Sequence, residues 1–209
     1  MPIKRLSQSS LLTFEKYSSM LAGNAAILPV YEHLETQILA NSTTDVVTFS
    51  NLNSSYGSTY QHLAFRIVAR GADANSGTGV ALRIYMNGIG GDGGGSSYAT
   101  HMLRALNGNA LGGEGYADSA YGFLGFGSAG GSGQWTGFVA ELLDPFKTTK
   151  NKTVRALAGV AQTSTTSGIS LNSTVFKSTN AITSISFQFN AGWLFQTGSR
   201  FSMYGIRSS

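Results

Sequence analysis

The chain has 209 residues, 11% of them charged and 42% hydrophobic, with 27 glycines, no cysteine and a formal net charge of +4. That length suits one all-β domain, or a domain with an arm, and buries enough surface to fold without staples. The lack of cysteine excludes a disulfide framework, a thiolate metal cluster and a cysteine nucleophile. Glycine, serine and threonine fill roughly a third of the chain, so hydroxyls and glycines must cover much of the surface. The apolar content is too high for disorder.

Residues 1–30 read differently from the rest. Leu11, Phe14, Tyr17 and Leu21 recur at three- and four-residue spacing, Thr13 is the candidate N-cap and Gly23-Asn24 the stop, which predicts a short helix near residues 14 to 22. So short a helix is marginal alone, so its apolar face must pack on its own domain or on a partner. From Tyr31 onward the period changes from about 3.6 to 2. The predicted domains are therefore an arm, 1–30, and a β-domain, 31–209.

Strands are predicted over 34–40, 45–50, 62–70, 80–87, 98–106, 134–143, 153–161, 182–190 and 200–206. In 62–70, Leu63, Phe65, Ile67 and Ala69 form the apolar row, opposite a row holding Arg66 and Arg70. In 80–87, Val80, Leu82, Ile84 and Met86 do the same. Nine short strands without helical pattern between them predict an antiparallel β-sandwich, jelly-roll-like, with about four strands in each of two sheets. Gly88 to Ser97 and Asn107 to Gly133, both glycine-rich, read as two long loops and as the domain's contact surface.

The search for chemistry is mostly negative. His33, His62 and His101 show no metal-ligand spacing and read as strand residues. Glu141 and Asp144 read as a strand end before the Asp144-Pro145 turn, not as a glycosidase pair. The Gly90–Gly95 run lacks the Lys-Ser/Thr of a phosphate loop and has one carboxylate, Asp92, too few for calcium. No serine nucleophile elbow is present. No catalytic residue, metal or cofactor is therefore expected. The basic residues are scattered except for Lys147, Lys150, Lys152 and Arg155, a weak basis for binding nucleic acid. No apolar stretch approaches the ~20 residues of a membrane span, and Ser7 to Ser10, Glu15 and Lys16 interrupt any signal-peptide core. Neither nucleic acid nor membrane is expected as a partner. What remains is surface: Tyr56, Tyr60, Tyr98, Tyr116, Tyr121, Trp135 and Trp193 are candidate exposed aromatics, to be weighed against core packing.

Four strings, in order along nearly the whole chain, resemble a group of tailed-bacteriophage virion proteins: Ser19-Met20-Leu21-Ala22-Gly23-Asn24, Tyr60-Gln61-His62-Leu63-Ala64-Phe65-Arg66, Asn151-Lys152-Thr153-Val154-Arg155-Ala156-Leu157 and Phe201-Ser202-Met203-Tyr204-Gly205-Ile206-Arg207. The resemblance implies a jelly-roll or sandwich protein with an N-terminal arm, made in the host cytoplasm and located in the virion. It implies a non-enzymatic role as a capsid decoration or cement protein, with major capsid or tail proteins as partners and a homo-oligomer, a trimer by analogy, as the assembly. Leu11, Phe14, Tyr17 and Leu21 are then the docking residues. The rival expectation is a tail or baseplate appendage that binds host surface glycan through Tyr116, Tyr121 and Trp135. A depolymerase ranks third, for want of a carboxylate pair.

Overall fold

The computed structural model describes residues 31–72, 80–88, 95–106, 111–129, 134–160, 167–190 and 193–207. The chain divides between Val30 and Tyr31, and the second unit, Tyr31–Ser209, is the one considered below. The expected helix near 14–22, with Leu11, Phe14, Tyr17 and Leu21, lies outside the described residues.

The described residues form twelve strands: β1(Tyr31–Ile38), β2(Val46–Phe49), β3(His62–Gly71), β4(Val80–Met86), β5(Tyr98–Leu106), β6(Gly112–Ser119), β7(Gly122–Ala129), β8(Thr136–Leu143), β9(Lys152–Val160), β10(Gly168–Phe176), β11(Ile185–Phe189) and β12(Arg200–Ile206). One turn of helix, α1(Leu52–Tyr56), follows β2. The large sheet runs β1-β12-β3-β8-β9-β10-β5-β6 and the small sheet β2-β11-β4-β7, antiparallel throughout. Where β8 ends, at Thr136 opposite Ala69, β7 takes its place beside β3 in a two-residue parallel bridge, Arg70–Ser128 and Gly71–Ala129. The Ser128 amide donates to Thr136 Oγ1 at 2.8 Å and seals this corner between the sheets. From β1 to β5 the chain crosses between sheets at every connection, as jelly rolls do.

The fold is thus the expected antiparallel β-sandwich, and all nine expected strands are present, with ends shifted by up to three residues. Two expectations need correction. Among the described residues the sheets hold eight and four strands, not about four each. Asn107 to Gly133 is not a long loop, because it contains β6 and β7; β10 was also unforeseen.

The physical reason lies in an uneven core. One half is thick and aromatic: Phe49, Phe65, Phe187, Phe189, Phe195 and Phe201 are buried, with neighbouring ring centroids 4.6 to 6.2 Å apart. Such rings separate two sheets by about 10 Å. The other half is thin, because the β7 backbone lies almost on the large sheet. At Gly125 a Cβ would stand 2.3 Å from Ala158 Cβ, and φ is +145°. The glycines of β7 therefore serve close approach within a strand, at a bulge opposite Leu82 and Arg83, and not loop flexibility.

Facing β7, β10 turns polar side chains inward. Asn172 Nδ2 donates to the Leu124 carbonyl at 3.0 Å, and Thr174 Oγ1 to the Phe123 carbonyl at 3.2 Å. Thr174 also shares a 2.8 Å hydrogen bond with Thr100. Ser170, Asn172 and Thr174 are buried, whereas Ile169 and Leu171, which alternate with them, are exposed. This strand has the alternation of a half-buried strand with the polarity reversed.

Candidate functional site

The aromatic residues singled out in the sequence do not share one surface. Tyr60 and Tyr98 are buried, and Tyr56 and Trp193 pack against the core. Tyr116, on the edge strand β6, is 49% exposed, and its hydroxyl donates to Glu114 Oε2 at 3.0 Å, which raises its pKa. Glu114 is also paired with Arg104, whose guanidinium lies over the Phe126 ring. Tyr121 precedes β7, with the Arg83 guanidinium 3.8 Å from its ring centre. Trp135 lies near the far end of β7, against Arg70, which pairs with Ser128. Seven residues of strand separate that point from Tyr121, about 23 Å. Tyr116 and Tyr121 share one corner; Trp135 stands at another.

The carboxylates have structural partners. Glu141, on β8, accepts from the Tyr31 hydroxyl at 2.8 Å and from Arg155 at 2.6 Å. The Tyr31 hydroxyl first, and then the Arg155 guanidinium, hold its carboxyl below the usual range. Asp144, with φ +47°, pairs with Lys150 at 2.6 Å, and its amide donates to His62 Nδ1 at 3.0 Å. The Lys150 hydrogen bond lowers its pKa most. This is the strand-end turn expected for the pair. The histidines lie on β1, β3 and β5, as expected of strand residues. Among the described residues no three His, Asp or Glu side chains converge as metal ligands.

The most conspicuous surface is one that sequence reasoning missed: the outer face of the large sheet. Register places its residues in rows across the strands, since directly opposed residues share a face. The central row runs Arg66, Val139, Leu157, Leu171, Leu103 and Gly113. Beside it run Val68, Gly137, Gly159, Ile169 and Ala105, and on the other side Glu141, Arg155, Ser173, His101 and Gly115. Val68, Leu103, Val139, Leu157, Ile169 and Leu171 are each 44% to 55% exposed.

Six such side chains on five adjacent strands make a patch of roughly 500 Å², at the upper end of what a monomeric protein exposes. Gly137 and Gly159 leave slots in it: nothing lies within 4 Å of where their Cβ atoms would be. Arg66, over the Tyr204 ring, and the Glu141–Arg155 pair frame it. A flat aliphatic face with a polar frame can bury itself against another flat surface.

Two signals for it were present in the sequence. Val139 and Leu157 break the polar row of otherwise regular strands, and Ile169-Ser170-Leu171-Asn172-Ser173-Thr174 alternates by two. What the sequence could not say is that in β10 the apolar row faces out. In comparisons with known proteins, no family model, curated protein or solved structure matches this chain.

Proposed function

We propose that the protein is a non-enzymatic structural component of a bacteriophage virion, a capsid decoration or cement protein that docks through residues 1–30 and displays the β-sandwich. The observation that carries the assembly role is the aliphatic outer face of the large sheet, a surface suited to protein contact. The four strings that resemble virion proteins supply the setting, and three of them overlap β3, β9 and β12 of this framework.

The arm is the element to test. Burial of Leu11 and Phe14 on a particle contributes about 1.5–3 kcal/mol each. The Leu11→Ala/Phe14→Ala chain should therefore be several-fold depleted from purified particles while its β-domain melts as the parent does. Equal incorporation sinks the docking role, and absence of the parent protein from particles sinks the virion reading.

A second reading, a tail or baseplate appendage that binds host glycan, is favoured by one observation: the half-exposed Tyr116 ring beside Glu114 and Tyr121 at the sheet corner. It expects glycan binding by the purified chain that Tyr116→Ala abolishes. Under this reading Trp135→Ala acts separately, from another corner.

A further inference from the structure

We propose that the outer face of the large sheet is the dimer interface of two copies of this chain, related by a two-fold axis that runs along the strands between β9 and β10. The inference rests on the assembly role argued above and names the partner: a second identical face. Two-fold contacts are self-complementary, so the rows of this face must fit themselves when reversed.

Rotation about that axis exchanges β9 with β10, β8 with β5 and β3 with β6, and keeps each row on itself. In the central row, Leu157 of each copy then meets Leu171 of the other, and Val139 meets Leu103. In the next row Ile169 faces Gly159, so the largest knob enters the slot where nothing lies within 4 Å of a Cβ. In the third row the Glu141 carboxylate faces the His101 imidazole, and Arg155 faces the Ser173 hydroxyl. Arg66 falls over Gly113 and meets no cation.

The other in-plane two-fold, across the strands, fails these tests. It exchanges the outer rows, which sets Ile169 on Ser173 and the charged Glu141 and Arg155 on the glycine slots. Six strands spaced by about 4.8 Å and three rows of side chains bury about 500 Å² per copy, so about 1,000 Å² in all, the lower bound for a specific interface. Aligned sheets about 10 Å apart are the usual geometry of such packing.

A cysteine-free chain permits a direct test. On one copy Val139 and Leu103 lie three strand spacings apart, about 14 Å, beyond the reach of a disulfide. Across the interface they face each other as residues of packed sheets that disulfides do join. The Val139→Cys/Leu103→Cys chain should form a covalent dimer on mild oxidation, and neither single variant should do so comparably. Light scattering after size exclusion should give the full-length parent as a dimer at micromolar concentration.

The Leu157→Thr/Leu171→Thr variant, which keeps strand propensity, should dimerise at least 100-fold more weakly with an unchanged circular dichroism spectrum. A monomeric parent overturns the proposal, as does a trimer indifferent to those substitutions. Single-cysteine variants that cross-link as fast as the double overturn the axis. A dimer that never enters particles refutes the virion reading and leaves this interface standing.

Discussion

Gly125→Ala isolates the close approach of β7 to the large sheet. The new methyl group meets Ala158 Cβ at 2.3 Å and Ser170 Oγ at 3.0 Å, and the backbone keeps φ near +145°. Strain from a non-glycine residue in such a conformation is about 1–3 kcal/mol, and overpacking a dense interior adds about 1–3 kcal/mol. Their sum of about 4 kcal/mol is a large share of the 5–15 kcal/mol typical of a folded chain. In urea, with a slope of about 2 kcal/mol/M, the midpoint should fall by about 2 M.

Two companions separate the causes. Adding Ala158→Gly removes the nearest atom but not the backbone strain, so about half the loss should return. Gly112→Ala, on β6 of the same large sheet but with nothing within 4 Å of the new Cβ and outside the rows of the outer face, should shift stability by no more than about 0.5 kcal/mol. A Gly125→Ala midpoint within about 0.3 M of the parent would refute the close-approach argument, and β7 glycines would then be loop-like after all.

Three further outcomes are expected. The Tyr98 hydroxyl, wholly buried, accepts from the Met86 amide at 2.8 Å, and burial pushes its pKa up to about 12. A raised folded pKa favours the native state below pH 10 and loses that advantage as pH climbs to about 12, so about 3 kcal/mol should vanish over that range. Tyr98→Phe should flatten this part of the urea-midpoint profile; an unchanged slope would discount Tyr98. Lys152, also wholly buried, donates from Nζ to the carbonyls of Lys147, Lys150 and Thr179 at 2.5, 2.8 and 3.1 Å. Lys152→Met strands those acceptors and should cost about 3 kcal/mol by urea unfolding; a neutral substitution would show that they find other donors. Asn172→Leu should likewise destabilise by about 2 kcal/mol, since it removes the donor to the Leu124 carbonyl in the thin half of the core, and a stabilised variant would count against the polar interior.

Local alternation by two, interrupted by glycine, asparagine and serine, was enough to locate nine strands and to orient β3 and β4, because side-chain direction in a strand follows from its pleat alone. Leu63, Phe65 and Ile67 had to point inward wherever β3 paired. The same reasoning misread Gly112 to Ala129 as loop and passed over β10. There the residue types answer to what lies across the sandwich, not to solvent: glycine because the β7 backbone sits on Ala158, and Ser170, Asn172 and Thr174 because that backbone offers carbonyls to bond.

The aromatic residues show the same limit. Composition marked Tyr116, Tyr121 and Trp135 as surface chemistry, but only pairing puts Tyr121 and Trp135 at opposite ends of β7. The aliphatic face is the converse case. Val139, Leu157, Leu171 and Leu103 lie 14 to 68 residues apart in the chain, and nothing local links them. Strand register alone sets them side by side, since hydrogen-bonded pairing converts distant positions into one row about 4.8 Å apart. The sequence by itself thus determined which segments are strands and which side chains of β3 and β4 are core, and tertiary pairing alone decided which surface the molecule presents.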